Sequence, residues 1–490
     1  MSDNTTETDE TPSAATTVTS PNVIVAVLAV AGIGVSLMQT LVIPLLPELP
    51  RLIGASAADT SWTVTATLLA AAVATPVVGR LGDMVGKKRM LLVSLVMLVA
   101  GSAVAALSDS LTPLVVGRAM QGLAAGVIPL GISIMRDELP REKMASAMAL
   151  MSASLGIGGA LGLPTAAFIA DNADWHVLFW AAAAMGVVCF ALVAALVPES
   201  SVRGGGRFDG VGAAGLSIGL VAMLLAVSKG ADWGWTDPLT LGLAALALVT
   251  FGLWGRWELR IAEPLVDLRT TVRRQVLVTD LASVVFGFAM LAMSLVLPAL
   301  LQLPEATGYG MGQSMLAVGL VMAPSGLVMV AIAPLSARVT NAKGPKTTLM
   351  IGAVIVAASY GLGTVLMAEI WQLVLVSALM GAGMGFAYGA MPALIMAATP
   401  QSETAAANSL NTLMRSIGTS VASAVAGVIL AHMTVDLGGV AVPSQNAFRL
   451  VMGIAAAAAV AALAIAAFLP RNGSEAEESE SEPVLAGARH

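Results

Sequence analysis

The chain is poor in residues that do chemistry. Its 490 residues hold one cysteine, three histidines and three tyrosines, and only 11% of them are charged. A lone Cys189 can form neither an internal disulfide nor a cysteine-based metal centre. His176 and His432 lie near predicted helix ends and His490 is the last residue. No paired-acid, histidine or cysteine constellation is therefore left to run an enzyme inside the apolar segments, and no metal is expected. Soluble domains carry about 25% charged residues, so the scarcity of charge also excludes a soluble domain, a nucleic-acid binder and a secreted scaffold.

What is abundant is apolar: 57% of the residues are hydrophobic and the mean hydropathy is +0.87. Fourteen apolar segments fall at about 22–47, 61–79, 90–108, 112–135, 144–170, 176–198, 209–228, 238–256, 276–303, 314–337, 347–367, 371–398, 405–432 and 447–469. Each approaches or exceeds the ~20 residues a helix needs to cross a bilayer. A bilayer tolerates only helices or closed barrels, so this pattern predicts an all-α integral membrane protein with fourteen spans.

The net charge of −6 belongs to the ends. The tails at 1–21 and 470–490 carry nine acids against Arg471 and Arg489, which leaves a body of 22 basic and 21 acidic residues. Both tails read as acidic and disordered, and the first lacks the basic start of a cleaved signal peptide. With the N-terminus inside, nineteen of the twenty-four Lys and Arg residues fall on the cytoplasmic side. Arg51, Lys229 and Arg449 stay outside, and Arg118 and Arg415 fall within spans. That bias predicts cytoplasmic termini. All eight tryptophans lie near predicted membrane surfaces, with Trp180 or Trp371 the candidate to line an internal path.

A Gly-rich polar stretch follows the sixth segment and a basic loop follows the eighth. The layout is therefore a six-helix half (22–198), a linker with two extra helices (199–275) and a second six-helix half (276–469). The loop Gly79–Arg89 is echoed after the tenth segment by Ala333–Lys346, which keeps a Gly among basic residues but has lost the acid. Repeats of this kind suit a transporter whose site lies between two halves.

Several residues stand out against the apolar background. Asp83 is the lone acid in a cationic loop; it either holds helix amides and basic side chains or is solvated. Arg118 and Gln121 share a helix face, and a cation inside a span must find a partner, a water-filled space or the interface. Gly156, Gly159, Gly162 and Pro164 form a small-residue run suited to close helix packing. Asp280 lies near the start of the ninth segment, as a proton carrier or as an N-cap after Thr279. Asn408, Asn411 and Arg415 make a polar stripe on one helical face. With Gln39, Gln121 and Gln302 they are expected to line a substrate cavity.

These motifs resemble the major facilitator superfamily, and the six-two-six layout resembles its fourteen-spanner drug:proton antiporters. The run Gly79-Arg-Leu-Gly-Asp-Met-Val-Gly-Lys-Lys-Arg89 is similar to the family's signature between helices 2 and 3, with Asp83 and Arg89 at its key charges. Leu114–Gly126 is similar to the helix-4 signature, in which Arg118 occupies the position linked to proton coupling. Gly156–Pro164 matches the antiporter signature of helix 5 more loosely, and 174–180 and 408–420 also look like fourteen-spanner segments. Aligning on Pro47 puts Met38 where the family often has a helix-1 aspartate.

The resemblance implies a major facilitator fold and a monomeric exporter of amphipathic drugs, antibiotics or dyes in the cell membrane. It would use a proton gradient and no bound cofactor, with Asp83, Arg89, Arg118 and Asp280 in coupling or conformational roles. A dedicated transporter of one metabolite, or a non-transporting receptor of the same fold, are the alternatives. Reporter fusions at Gly205 and at the C-terminus are expected to read cytoplasmic, and one at Ala231 external. A C-terminus outside would require an odd number of spans and overturn the layout.

Overall fold

The computed structural model describes residues 20–42, 45–46, 48–438 and 440–469. The acidic tails predicted to be disordered lie outside the described residues, apart from Ser20 and Pro21. Among the described residues, thirteen helices are long and apolar enough to cross a membrane. One of them, Met315–Gly363, has 49 residues and a non-helical Gly344 with φ 82°. At 1.5 Å per residue it would run to about 74 Å, far beyond a ~30 Å hydrocarbon core, so it supplies two spans that turn at Gly344 and Pro345.

The spanning helices are α1 (Pro21–Thr40), α2 (Trp62–Val85), α3 (Lys87–Ala106), α4 (Leu111–Glu138), α5 (Arg141–Asn172), α6 (His176–Leu196) and α7 (Gly210–Trp233). They continue as α8 (Pro238–Glu258), α9 (Arg274–Gln302), α10 (315–343), α11 (345–363), α12 (Ile370–Ala398), α13 (Thr404–His432) and α14 (Gln445–Ala467). A 3-10 turn at Leu123–Gly126 interrupts α4. The expectation of an all-α chain needs one small amendment. Between α13 and α14, strands β1 (Thr434–Leu437) and β2 (Val440–Pro443) form an antiparallel hairpin pairing Thr434 with Pro443.

The repeat noted between the halves has a backbone counterpart. Gly86 (φ 134°), between α2 and α3, and Gly344, between α10 and α11, both adopt left-handed geometry that side chains resist. Three residues before Gly86 stands buried Asp83; three before Gly344 stands exposed Asn341. Only the first copy keeps an acid to present.

Two seams join the first six helices to the last six. Along one, α2 packs on α13; along the other, α5 packs on α10. The second is a small-residue contact, since a Cβ at Gly326 would lie 2.0 Å from the Gly156 carbonyl oxygen and one at Gly319 would lie 3.0 Å from Pro164. Gly162 instead faces Thr40 of α1. Gly159 departs from the expected packing role: a Cβ there would meet nothing within 4 Å.

The extra pair, α7 and α8, packs together and lies over the α2–α13 seam. Leu216, Leu220 and Leu224 of α7 are buried against Ala72, Leu410 and Leu413. Lys229, the cation that the inside-positive pattern left outside, is 3% exposed; its ammonium donates to Ser61 and sits 5.4 Å over the Trp62 ring. Trp180 and Trp371 are exposed on the outside of the bundle, so neither lines an internal path. Forcing a methylene into a packed interior costs about 1–3 kcal/mol. Gly326→Val is therefore expected to lower the unfolding temperature of detergent-purified protein, whereas Gly159→Ala leaves it unchanged; equal effects would contradict the seam.

Candidate functional site

The end of the α2–α13 seam at which α13 begins is closed by charge. Helix α13 begins at Thr404 after a 3-10 turn at Gln401–Glu403, which leaves its first amides without intrahelical acceptors. Asp83, fully buried, fills that gap: Oδ1 accepts from the Ala405 amide at 3.2 Å and Oδ2 from the Ala406 amide at 2.9 Å. A carboxylate at a helix N-terminus also meets the positive end of its dipole. The approach requires Gly79, where a Cβ would lie 2.2 Å from Ser409 Oγ and 2.8 Å from the Ala405 carbonyl. The solvated-loop reading of Asp83 is thereby excluded.

The facing helix end is treated with the opposite sign. Arg136 of α4 donates from Nη2 to the Met396 and Thr399 carbonyls at 2.9 and 3.0 Å, at the C-terminus of α12, and from Nη1 to Thr404 Oγ1. Buried Lys87 bridges the system, 2.5 Å from Asp137 and 3.7 Å from Asp83. Gln401 adds a donor to Asp137 at 3.2 Å. Sequence reasoning had counted Lys87 and Arg136 only as topology signals and had singled out Arg89. Arg89 instead lies 65% exposed on α3, 3.9 Å from Glu199. The signal that could have found Lys87 was its place four residues after Asp83, across the turn at Gly86.

Arg118 is 2% exposed, so it does not snorkel to the interface. Its guanidinium donates to the Thr63 carbonyl (3.2 Å), the Met38 carbonyl (3.0 Å) and Gln121 Oε1 (2.6 Å). Gln121 passes the chain on to Ser102 Oγ at 2.8 Å. Arg118 thus ties α1, α2 and α3 to α4, and no carboxylate is among its partners. Gln121 serves this hub, away from the space between the halves. Gln39 is exposed at the end of α1, and exposed Gln302 bonds back to Pro298 of its own helix.

The other sequence candidates converge. Asp280 is no cap, because α9 begins at Arg274 and Asp280 lies inside the helix. It is 2% exposed; its Oδ1 accepts from Asn411 Nδ2 at 2.8 Å, while Oδ2 meets no donor among the described residues. Asn411 also donates to Ser283 Oγ at 2.7 Å. One turn on, the Arg415 guanidinium sits 5.0 Å over the Tyr388 ring. Asn408, Asn411, Arg415 and Tyr388 line a small central space together with Ile128 and Ser152 of the first half. At about 20 Å³ it holds little more than a water, so this conformation is tightly packed around these polar groups as well as at the end of the seam that Asp83 occupies.

With this geometry in hand, the similarities of the chain are informative. It matches the sequence model of the Major Facilitator Superfamily over residues 28–261 and 282–488. It is 27% identical over 403 residues, 80% of this chain, to an uncharacterised MFS-type transporter of Mycobacterium tuberculosis, and spans 57% of that relative's length. Multidrug resistance protein 3 of Bacillus subtilis is 24% identical over 75% of this chain and 72% of its own. The tetracenomycin C resistance and export protein of Streptomyces glaucescens is 27% identical over 84% of this chain and 76% of its own. The structure of the human organic anion transporter MFSD10 superposes with a TM-score of 0.66 over 91% of this chain and 99% of that one, at 16% identity. These likenesses describe a transporter, not an enzyme.

The Arg118 hub makes a separate claim on stability. Lysine keeps the charge but not the planar fork, so Arg118→Lys strands buried acceptors at a cost of about 1–3 kcal/mol. A lower unfolding temperature in detergent is the expected result, and wild-type stability would show that the fork is dispensable.

Proposed function

The chain belongs to the major facilitator superfamily, and on that premise we propose that it exports amphipathic small molecules across the cell membrane by alternating access, driven by proton entry. In this reading it works as a monomer with cytoplasmic termini and needs no cofactor beyond the proton gradient. The observation that carries the reading is Asp280: a buried carboxyl group whose single donor, Asn411, lines the space between the halves. An ionised carboxylate is costly to bury with one neutral donor. Loading or unloading a proton there changes the charge that the α9–α13 contact must hold, so the two protonation states favour different arrangements of the halves. Asp83 and Arg136 then act as the cytoplasmic gate, and Arg118 shapes the first half without exchanging a proton with any acid it touches.

The name of the Bacillus relative favours broad drug export. The 27 methionines, Met391 at the central space among them, suit adaptable binding. The Streptomyces relative, named for resistance to and export of a single compound, supports a second reading as a dedicated antibiotic exporter.

Drug-induced collapse of a pH gradient in inverted vesicles, scanned over cationic, neutral and anionic compounds, separates the two. Broad export predicts collapse by many compounds, a dedicated exporter by one, and no collapse by any overturns proton coupling. Asp280→Asn is expected to abolish the proton-coupled signal while downhill exchange persists, and Asp83→Asn to lose most transport of either kind. Full coupling in the Asp280→Asn variant would move the proton site elsewhere.

A further inference from the structure

The segment that leaves α6 for the extra helix pair is built into the gate. Glu199 Oε1 accepts from the Lys88 amide at 3.2 Å at the start of α3. Ser200, 2% exposed, donates to Asp137 Oδ2, the same oxygen that pairs with Lys87. The Gly204 amide donates to the Asp83 carbonyl at 2.7 Å. A Cβ on Gly204 would stand 2.9 Å from the Ser402 carbonyl oxygen, across the seam on the second half. Three residues further on, the Arg207 amide bonds to Glu263 in the loop after α8. Glycine at 204 is what lets this backbone pass between Asp83 and Ser402.

We propose that residues 199–207 are a strap that belongs to the cytoplasmic gate, and that the α7–α8 pair sets how firmly the strap holds it closed. The strap is covalently continuous with the first half through α6, touches the second half at Ser402, and runs into α7. Helix α7 lies over the same two helices, α2 and α13, through Leu216 and Leu220. When α2 and α13 part at the cytoplasmic end, the strap has to leave Ser402 or Asp83, and α7 has to give up one of its two faces. The extra pair therefore acts as a clip along one seam, and nothing equivalent among the described residues covers the α5–α10 seam. The proposal takes from the exporter reading only that this end must open; it uses neither the substrate nor the proton.

The experiment places a thiol in the strap. Cys189, the chain's only cysteine, is buried, so Ser200→Cys gives one reporter for a water-soluble maleimide on purified full-length protein, with folded protein verified by size exclusion. Labelling is expected to be slow in the Ser200→Cys protein itself. It should rise about tenfold when one contact worth roughly 1.4 kcal/mol is lost, in two separate variants. Gly204→Val crowds the Ser402 carbonyl, and Leu220→Ala loosens α7 about 15 Å away by helical rise. Rapid labelling without either change, or no response to Gly204→Val, removes the strap from the gate. A response to Gly204→Val but none to Leu220→Ala removes the role of the extra pair. Since neither substrate nor pH gradient is present, these outcomes are distinguishable from a failure of proton-coupled export.

Discussion

Two side chains of the first half neutralise the two adjacent helix ends of the second. Asp83 takes the free amides that open α13, and Arg136 takes the free carbonyls that close α12. Asp83 is wholly and Arg136 partly withdrawn from water, and each faces an oppositely polarised helix terminus. The rest of this face of the bundle follows from that requirement. Gly79 lets α2 come close enough, Lys87 and Asp137 balance the remaining charge, and the strap from α6 packs its backbone into the same contact. These pairs share one contact, so parting α2 from α13 would expose them to water together.

Deeper in the bundle, the halves are electrically unlike. The first half buries a cation, Arg118, among carbonyls and an amide; the second buries an acid, Asp280, beside an amide and a hydroxyl. A guanidinium spreads its charge over five donors and can be saturated by neutral acceptors. A carboxylate with one donor cannot be saturated in the same way. Within the proposed export cycle, this asymmetry suits a scaffold role for the arginine and a responsive one for the acid.

Much of the architecture was legible in order along the chain. The spans could be read because bilayer crossing is a local demand on length and apolarity, and Asp83 stood out because one acid among cations is a local anomaly. Partners were harder. Asp83 and Ala405 are 322 positions apart, and no spacing rule connects them. Gln39 and Gln302 stood out on polarity alone, and both are exposed at the ends of their helices. Gly159 looked like its neighbours in the small-residue run, yet it faces open space while Gly156 meets Gly326.

By itself the sequence determined a fourteen-span helical membrane protein and its charged loops, because each apolar run is long enough to cross hydrocarbon as a helix that satisfies its own backbone. Only the tertiary structure decided which charges meet. It put Lys87 rather than Arg89 beside Asp83, made Asp280 an interior acid rather than a cap, and laid α7 over one seam only. Those outcomes depend on the rotation of each helix about its axis and on which helices become neighbours, and both are set by packing among segments far apart in the chain.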